Sequence, residues 1–241
     1  MTRILAISSF VAAGHVGLSA AVPALARLGA EVMAVPTVVL SNHKAWPAVA
    51  GEPVPPERIA AMLDAIAANG WLAEADALLT GYLPSAAHVD AAGAAALRLR
   101  AANPHARVVV DPVLGDDPRG LYLAAEAAEA IRDRLAPLAD LLTPNRFELE
   151  WLTGRPAGDL AAAAEAARAL AGRGRRVLVT SPPLDGDGTG ALDVSAAGAR
   201  LHRVPRRQRV PHGVGDAFAA MAAAGLAAGE AVGKLAALVG T

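Results

Sequence analysis

The stretch Arg107-Val108-Val109-Val110-Asp111-Pro112-Val113-Leu114-Gly115-Asp116 decides the fold. A short β-branched run that passes straight into Asp, Pro and Gly reads as a strand, over 107–111, followed by a polar turn. The same unit recurs along the chain. Strands are expected at 3–8, 31–39, 77–80, 107–111, 141–143, 176–180 and 200–204, and Ala/Leu-rich helices at 16–28, 56–68, 85–101, 124–135, 147–152, 160–171 and 215–224. Such alternation is the signature of an α/β fold, a central, mostly parallel sheet flanked by helices on both faces. The segments 45–56 and 183–190 read as long loops. No repeat or linker divides the chain, so residues 1–241 are expected to form a single domain.

Bulk composition narrows the functions. Aromatic residues are only 3% against 54% hydrophobic, so Ala, Leu and Val must build the core. A formal net charge of −1 argues against nucleic acid as an electrostatic partner. The one basic cluster, Arg203, Arg206, Arg207 and Arg209, is interrupted by prolines and reads as a solvated strand edge. The chain has no cysteine, which removes disulfides, thiolate chemistry and cysteine-bound metals. A strand that starts at residue 3 is no signal peptide, and charges break the Ala-rich runs before they reach membrane-spanning length. A soluble, cytoplasmic protein with no membrane partner is expected.

Polar clusters follow the predicted strands: Ser8-Ser9, Gly81-Tyr82, Asp111 to Asp116, Thr143-Pro144-Asn145 and Thr180-Ser181. In an open parallel sheet the carboxyl ends of the strands form the ligand crevice, so these five clusters predict one continuous edge. Facing it is His212-Gly213-Val214-Gly215-Asp216-Ala217-Phe218. A Gly-x-Gly turn entering a helix leaves backbone N–H groups unpaired beside the positive end of the helix dipole, which suits an anion. Asp216 makes sense there as a general base, taking a proton from a hydroxyl while the turn stabilises a transferring phosphoryl group. The same residues also read as a glycine turn with a helix-capping Asp.

Two other constellations stay open on spacing alone. Asp111, Asp116 and Glu148, with Asn145, can hold Mg²⁺ through waters between protein and nucleotide phosphates. Equally, Asp111 can cap a turn and Glu148 can stabilise a helix N-terminus. Ser41-Asn42-His43-Lys44-Ala45-Trp46 offers polar donors and an aromatic face to a small heteroaromatic ring, although an isolated His is more often a surface or core residue than a ligand contact. Gly229 to Leu235 imitates a phosphate-binding loop but is one residue short and carries Leu where Ser or Thr is needed, and Asp185 to Gly188 lacks the spacing of a calcium loop.

Taken in order, these segments resemble the pyridoxal kinases of the ribokinase-like superfamily over nearly the whole chain. The resemblance rests on Ile4 to Ser9 with Gly14-His15-Val16-Gly17, Thr37 to His43, Gly81-Tyr82, Asp111 to Asp116, Thr143 to Glu148 and Gly213 to Phe218. It implies phosphorylation of the 5′-hydroxyl of pyridoxal, and of pyridoxine or pyridoxamine, by ATP with Mg²⁺. Asp216 would be the base, and Gly213, Val214 and Gly215 the anion hole. Ser9, Val16, Val38, His43, Lys44 and Tyr82 would surround the vitamin. Asp111, Asn145, Glu148, Thr180 and Ser181 would serve the nucleotide, with Asp111, Asp116 and Glu148 around the metal. A homodimer is likewise implied by the resemblance alone.

Several residues depart from the family's pattern. Lys44 stands where Thr is usual, and its amine can bond the ring's phenolate, fill the pocket or condense with the aldehyde. Leu40 replaces a common Phe, Phe10 a common His and Leu18 a common Asn. The chain ends at Thr241, soon after the anion-hole helix, which leads us to expect adenine contacts that are reduced, supplied by a dimer partner or missing. Two rivals therefore stand beside the pyridoxal kinase reading: a hydroxymethylpyrimidine kinase, and a non-catalytic vitamin B6-binding protein.

Overall fold

The computed structural model describes residues 1–172 and 174–239; Thr241 lies outside them. Its elements run β1 (Arg3–Ala13), α1 (Leu18–Ala26), β2 (Glu31–Asn42), β3 (Gly51–Pro53), α2 (Pro56–Ala68), β4 (Ala77–Thr80), α3 (Ala86–Ala102), β5 (Arg107–Val110), β6 (Gly115–Asp116), β7 (Gly120–Leu121), α4 (Ala125–Ala130), β8 (Leu141–Leu142), α5 (Arg146–Thr153), α6 (Leu160–Ala171), β9 (Arg176–Thr180), β10 (Gly188–Ser195), β11 (Gly198–Pro205), α7 (Val214–Ala223) and α8 (Ala228–Val239). One sheet takes the order β11-β10-β9-β8-β5-β4-β1-β2-β3, parallel from β9 to β2 and antiparallel at both ends; β6 and β7 form a separate hairpin.

The apolar strand runs work because both faces of the sheet are covered. Successive side chains point to opposite faces. Leu5, Ile7, Leu78, Val108, Val110, Val177 and Val179 therefore enter one core beneath α2 to α6. Ile4, Ala6, Ala77, Leu79, Val109 and Leu178 enter the other beneath α1, α7 and α8. Alanine faces such as Ala219, Ala220, Ala222 and Ala223 of α7 let helices lie close to the sheet, as the low aromatic content requires. Among the described residues no helix is long and apolar enough to cross a membrane.

Four expectations need correction. β1 and β2 run on to Ala13 and Asn42, past the expected ends at 8 and 39. Their register slips between Ser8 and Phe10, opposite Pro36, where the missing N–H cannot serve the ladder. The presumed loops 45–56 and 183–190 contain β3 and the start of β10, so the strand expected at 200–204 is the outer arm of a hairpin. Gly188, Gly190 and Asp193 hide β10, because glycine and aspartate are poor strand formers. Helix α8 was not foreseen, its signal weakened by Gly229 and Gly233; the phosphate-loop lookalike lies inside it.

Candidate active site

The chain leaves β1 for β2 on one side and later returns to β4 on the other side of β1. Ligand crevices of open α/β sheets form at such a switch, beyond the carboxyl ends of the strands. A cavity of about 650 Å³ opens there. Ser9, Val16, Val38, His43, Lys44, Tyr82, Asp111, Asp116, Asn145, Glu148, Thr180, Gly213, Gly215 and Asp216 all line it. Val214 and Ser181 do not: they line a smaller neighbouring cavity of about 200 Å³ that shares Thr180 and Gly215 with the first.

On one wall, the slip in β1 brings Ser9 to the cavity, while the adjacent Ser8 accepts the N–H of Tyr82 through its hydroxyl at 3.1 Å. The hydroxyl of Thr37 donates to the carbonyl of Tyr82 at 2.7 Å, so both polar backbone groups of Tyr82 are fixed. Ser41 and Asn42 tie down the loop that follows β2: Ser41 Oγ accepts from Ala50 N at 2.9 Å, and Asn42 Nδ2 donates to the carbonyl of Ala48 at 3.0 Å. Trp46 plays no part in the cavity and is 66% exposed; Tyr82 supplies the aromatic face instead, with Lys44 Nζ 5.8 Å from its ring centre. His43 stacks on His212 with ring centres 4.7 Å apart, joining this loop to the turn before α7. Burial, then His212, then Arg119 lower the pKa of His43, which favours its neutral form.

The turn before α7 is built around two glycines. Gly213 has φ 89°, and a Cβ there would collide with the carbonyl oxygen of His15. Gly17 has φ 56°, and a Cβ there would strike Ser9 Oγ and its carbonyl oxygen. Gly17 also donates its N–H to the carboxylate of Asp216. One residue thus makes room for Ser9 and donates to the carboxylate of Asp216, a role the sequence did not announce. The first turn of α7 precedes the bond from Ala217 N to Gly213 O (2.9 Å), so its leading N–H groups have no acceptor inside the helix. A Cβ on Gly215 would meet only open space, leaving room for a ligand to approach the backbone. Burial raises the pKa of Asp216 to about 6, against opposing hydrogen bonds from the amides of Gly17 and Asp216. A carboxylate near neutrality, within a cavity wall, suits proton abstraction.

The opposite wall is acidic and tightly bonded. Asn145 and Glu148 make a reciprocal capping box at the start of α5. Glu148 Oε2 accepts from Asn145 N at 2.8 Å and Oε1 from Leu114 N at 2.9 Å, while Asn145 Nδ2 donates to the carbonyl of Gly115 at 2.8 Å. The helix-capping reading of Glu148 therefore describes what its oxygens do. Thr143 Oγ1 donates to Asp111 at 2.8 Å. Burial, then repulsion from Glu148 and Asp216, raises the pKa of Asp111 well above the carboxylate range. Burial raises that of Glu148 to about 7, against backbone N–H bonds and with added repulsion from Asp116.

Among the described residues no group of three His, Cys, Asp or Glu side chains is close enough to enclose a metal directly. The donor set nevertheless fits a hard cation met through water. Asp116 Oδ1 is buried with no hydrogen-bond partner, beside two acids whose ionisation the fold penalises. Ser181, with Arg207, faces the smaller cavity, whose apolar side is Val214, Phe218, Val232, Leu235 and Val239. Arg207 is thus more than a solvated edge residue, and α8 builds much of that wall. Arg119 and Tyr122 also line the main cavity. Both sit on the β6–β7 hairpin, whose two-residue strands are too short to leave a periodicity.

The sequence profile of a family described as phosphomethylpyrimidine kinase matches residues 12–236. A pyridoxal kinase PdxY of Granulibacter bethesdensis is 42% identical over 227 residues, covering 91% of this chain and 79% of that protein. A pyridoxine/pyridoxal/pyridoxamine kinase of Bordetella bronchiseptica is 40% identical over 237 residues, covering 97% and 84%. The solved pyridoxal kinase of Leishmania donovani, in complex with ADP and pyridoxine, superposes with a TM-score of 0.89 at 33% identity, covering 99% of this chain and 84% of that one.

Proposed function

We propose a vitamin B6 kinase activity for this chain, which belongs to the phosphomethylpyrimidine kinase family, has the ribokinase-like fold and counts pyridoxal kinases among its relatives. It transfers the γ-phosphoryl group of ATP to the 5′-hydroxyl of pyridoxal, and of pyridoxine or pyridoxamine, releasing ADP. The observation that carries this reading is Asp216, held by the Gly17 N–H at the cavity beside the leading amides of α7, which have no acceptor inside the helix.

Asp216 takes the hydroxyl proton as the new P–O bond forms and the β,γ-bridging bond breaks. The leading amides of α7, at Val214 and Gly215, donate to the charge that develops on the phosphoryl oxygens. Ser9, Val16, Val38, His43 and Tyr82 hold the ring so that its 5′-hydroxyl meets the base. Lys44 faces the same space and bears on which vitamer is preferred. Asp111, Asp116 and Glu148 would hold Mg²⁺ through waters, and Mg²⁺ supplies charge neutralisation on the nucleotide phosphates. Thr180 and Ser181 lead the nucleotide into the smaller cavity, whose apolar wall accepts the base. A homodimer in the cytoplasm is the expected setting, tested by light scattering and fractionation.

A steady-state assay tests the reading. Protein with Mg-ATP is offered pyridoxal, pyridoxine, pyridoxamine and hydroxymethylpyrimidine, with Asp216→Ala as control. Turnover on a B6 vitamer, abolished in the variant while ligand binding persists, is the expected result. Turnover on the pyrimidine alone would change the vitamin but keep the mechanism. Tight pyridoxal 5′-phosphate binding without ADP release would make the protein a carrier.

A further inference from the structure

The β6–β7 hairpin carries a cation that its surroundings leave unpaired. Its root is fixed on several sides. Leu114 N donates to Glu148, Tyr122 N to the carbonyl of Leu114 at 2.7 Å, and Asn145 to the carbonyl of Gly115. Arg146 pairs with Asp117. Arg119 follows two acids, Asp116 and Asp117, that would ordinarily neutralise it. Neither does. Asp117 is taken by Arg146, and Asp116 interacts through its side chain with the Tyr122 hydroxyl. Among the described residues Arg119 has no hydrogen-bond or ion-pair partner, yet it lines the cavity that also presents Asp111, Glu148 and Asp216.

The position of this charge narrows its use. It acts on Tyr122 at the hairpin and on His43 across the vitamin wall, so Arg119 stands between the two substrate regions. The phosphate nearest the acceptor hydroxyl is the γ-phosphoryl. We propose that Arg119 is a further catalytic residue, its guanidinium donating to the γ-phosphoryl oxygens as that group passes from nucleotide to vitamin. This inference rests on the kinase reading above. Arg119 keeps its proton throughout; the hydroxyl proton goes to Asp216 and the bridging oxygen leaves with ADP. A planar guanidinium suits this task because it donates two parallel hydrogen bonds to a phosphoryl group.

The test compares wild type, Arg119→Gln and Arg119→Lys in nucleotide affinity by calorimetry and in steady-state kinetics. Affinity for the β,γ-imido analogue of ATP should fall about tenfold in Arg119→Gln, while that for ADP moves less than about threefold. Turnover should fall about 100-fold, with partial recovery in Arg119→Lys, which restores charge but not the fork. The melting temperature should not change, since the side chain has no partner to lose. Equal weakening of ADP and the analogue would place Arg119 on the inner phosphates and overturn the proposal, as would unchanged affinity and turnover. Failure of the kinase reading looks different: wild type itself would then release no ADP with any acceptor.

Discussion

The two walls of the cavity are built on opposite principles. On the nucleotide side, Asn145, Glu148, Thr143 and Asp111 bond to one another or to the backbone of Leu114 and Gly115, so their geometry exists before any ligand arrives. On the side of the loop after β2, Lys44 has no ion-pair partner among the described residues, and the His43 ring is held by a stack on His212 and a 3.3 Å bond from Ala45 N. The difference suits what each wall is proposed to meet. Phosphates and a metal demand fixed donors and charges, because electrostatic preorganisation is what accelerates phosphoryl transfer. A small ring can be gripped by side chains that complete their contacts on binding. Asp216 lies where the walls meet and shares their costs, since burial penalises its charge.

Asp216→Asn is the strongest test of this contrast. Removing the base should lower kcat by about 1,000-fold or more, as expected for a group used in the transition state. The same change should stabilise the free protein. An acid whose folded pKa is raised to about 6 costs stability while ionised, and the cost fades as pH falls through that value toward the ordinary carboxylate range. At pH 8 the gain should approach about 3 kcal/mol and should shrink toward pH 5, read as melting temperature against pH. For the same reason kcat/KM of the wild type should fall below a pH of about 6. If Asp216→Asn is less stable than wild type at every pH, Asp216 is a structural capping residue.

Glu148→Ala probes the preorganised wall. It removes the acceptor for the N–H groups of Leu114 and Asn145, so the loop into the β6–β7 hairpin loses its anchor. Two orphaned donors should cost about 2–4 kcal/mol, partly offset by loss of a buried charge. Activity should fall by about 10- to 100-fold, mostly through nucleotide KM. An unchanged melting temperature would show that the wall is not held from Glu148.

How much of this was legible follows from the range of the forces involved. The strands and helices of the two cores can be read because burial imposes a period on neighbouring residues, and strand ends in a parallel sheet point to a single crevice. The glycine turn and the Asp216 beside it can be placed because a helix N-terminus is a local feature. The β6–β7 hairpin cannot, since Arg119 and Tyr122 owe their place to anchors at Glu148, Asn145 and Arg146. Gly17 is a similar case: its need for a bare α-carbon comes from Ser9, and its N–H meets Asp216 from the far end of the chain. Trp46 misleads in the other direction, a large aromatic beside the right loop that turns to solvent.

The smallest effect belongs to the ligand-completed wall. Lys44 makes no ion pair among the described residues and lies over the face of Tyr82, a contact worth about 0.5–1 kcal/mol at an exposed site. Lys44→Thr should therefore leave the melting temperature within about a degree or two of wild type. Its consequence should appear in selectivity among acceptors. An amine facing the ring favours an acceptor with an aldehyde over one with an amine, so the variant should narrow the preference for pyridoxal over pyridoxamine by about 3- to 10-fold, chiefly in KM. Borohydride treatment with pyridoxal separates two causes. A reduced adduct on Lys44 means that the amine condenses with the aldehyde, and its absence alongside the same shift in KM means that the ammonium repels the amine of pyridoxamine. No shift in either measurement would mean that the vitamin side is set by Ser9, His43 and Tyr82 alone, and that the unpaired lysine is a bystander.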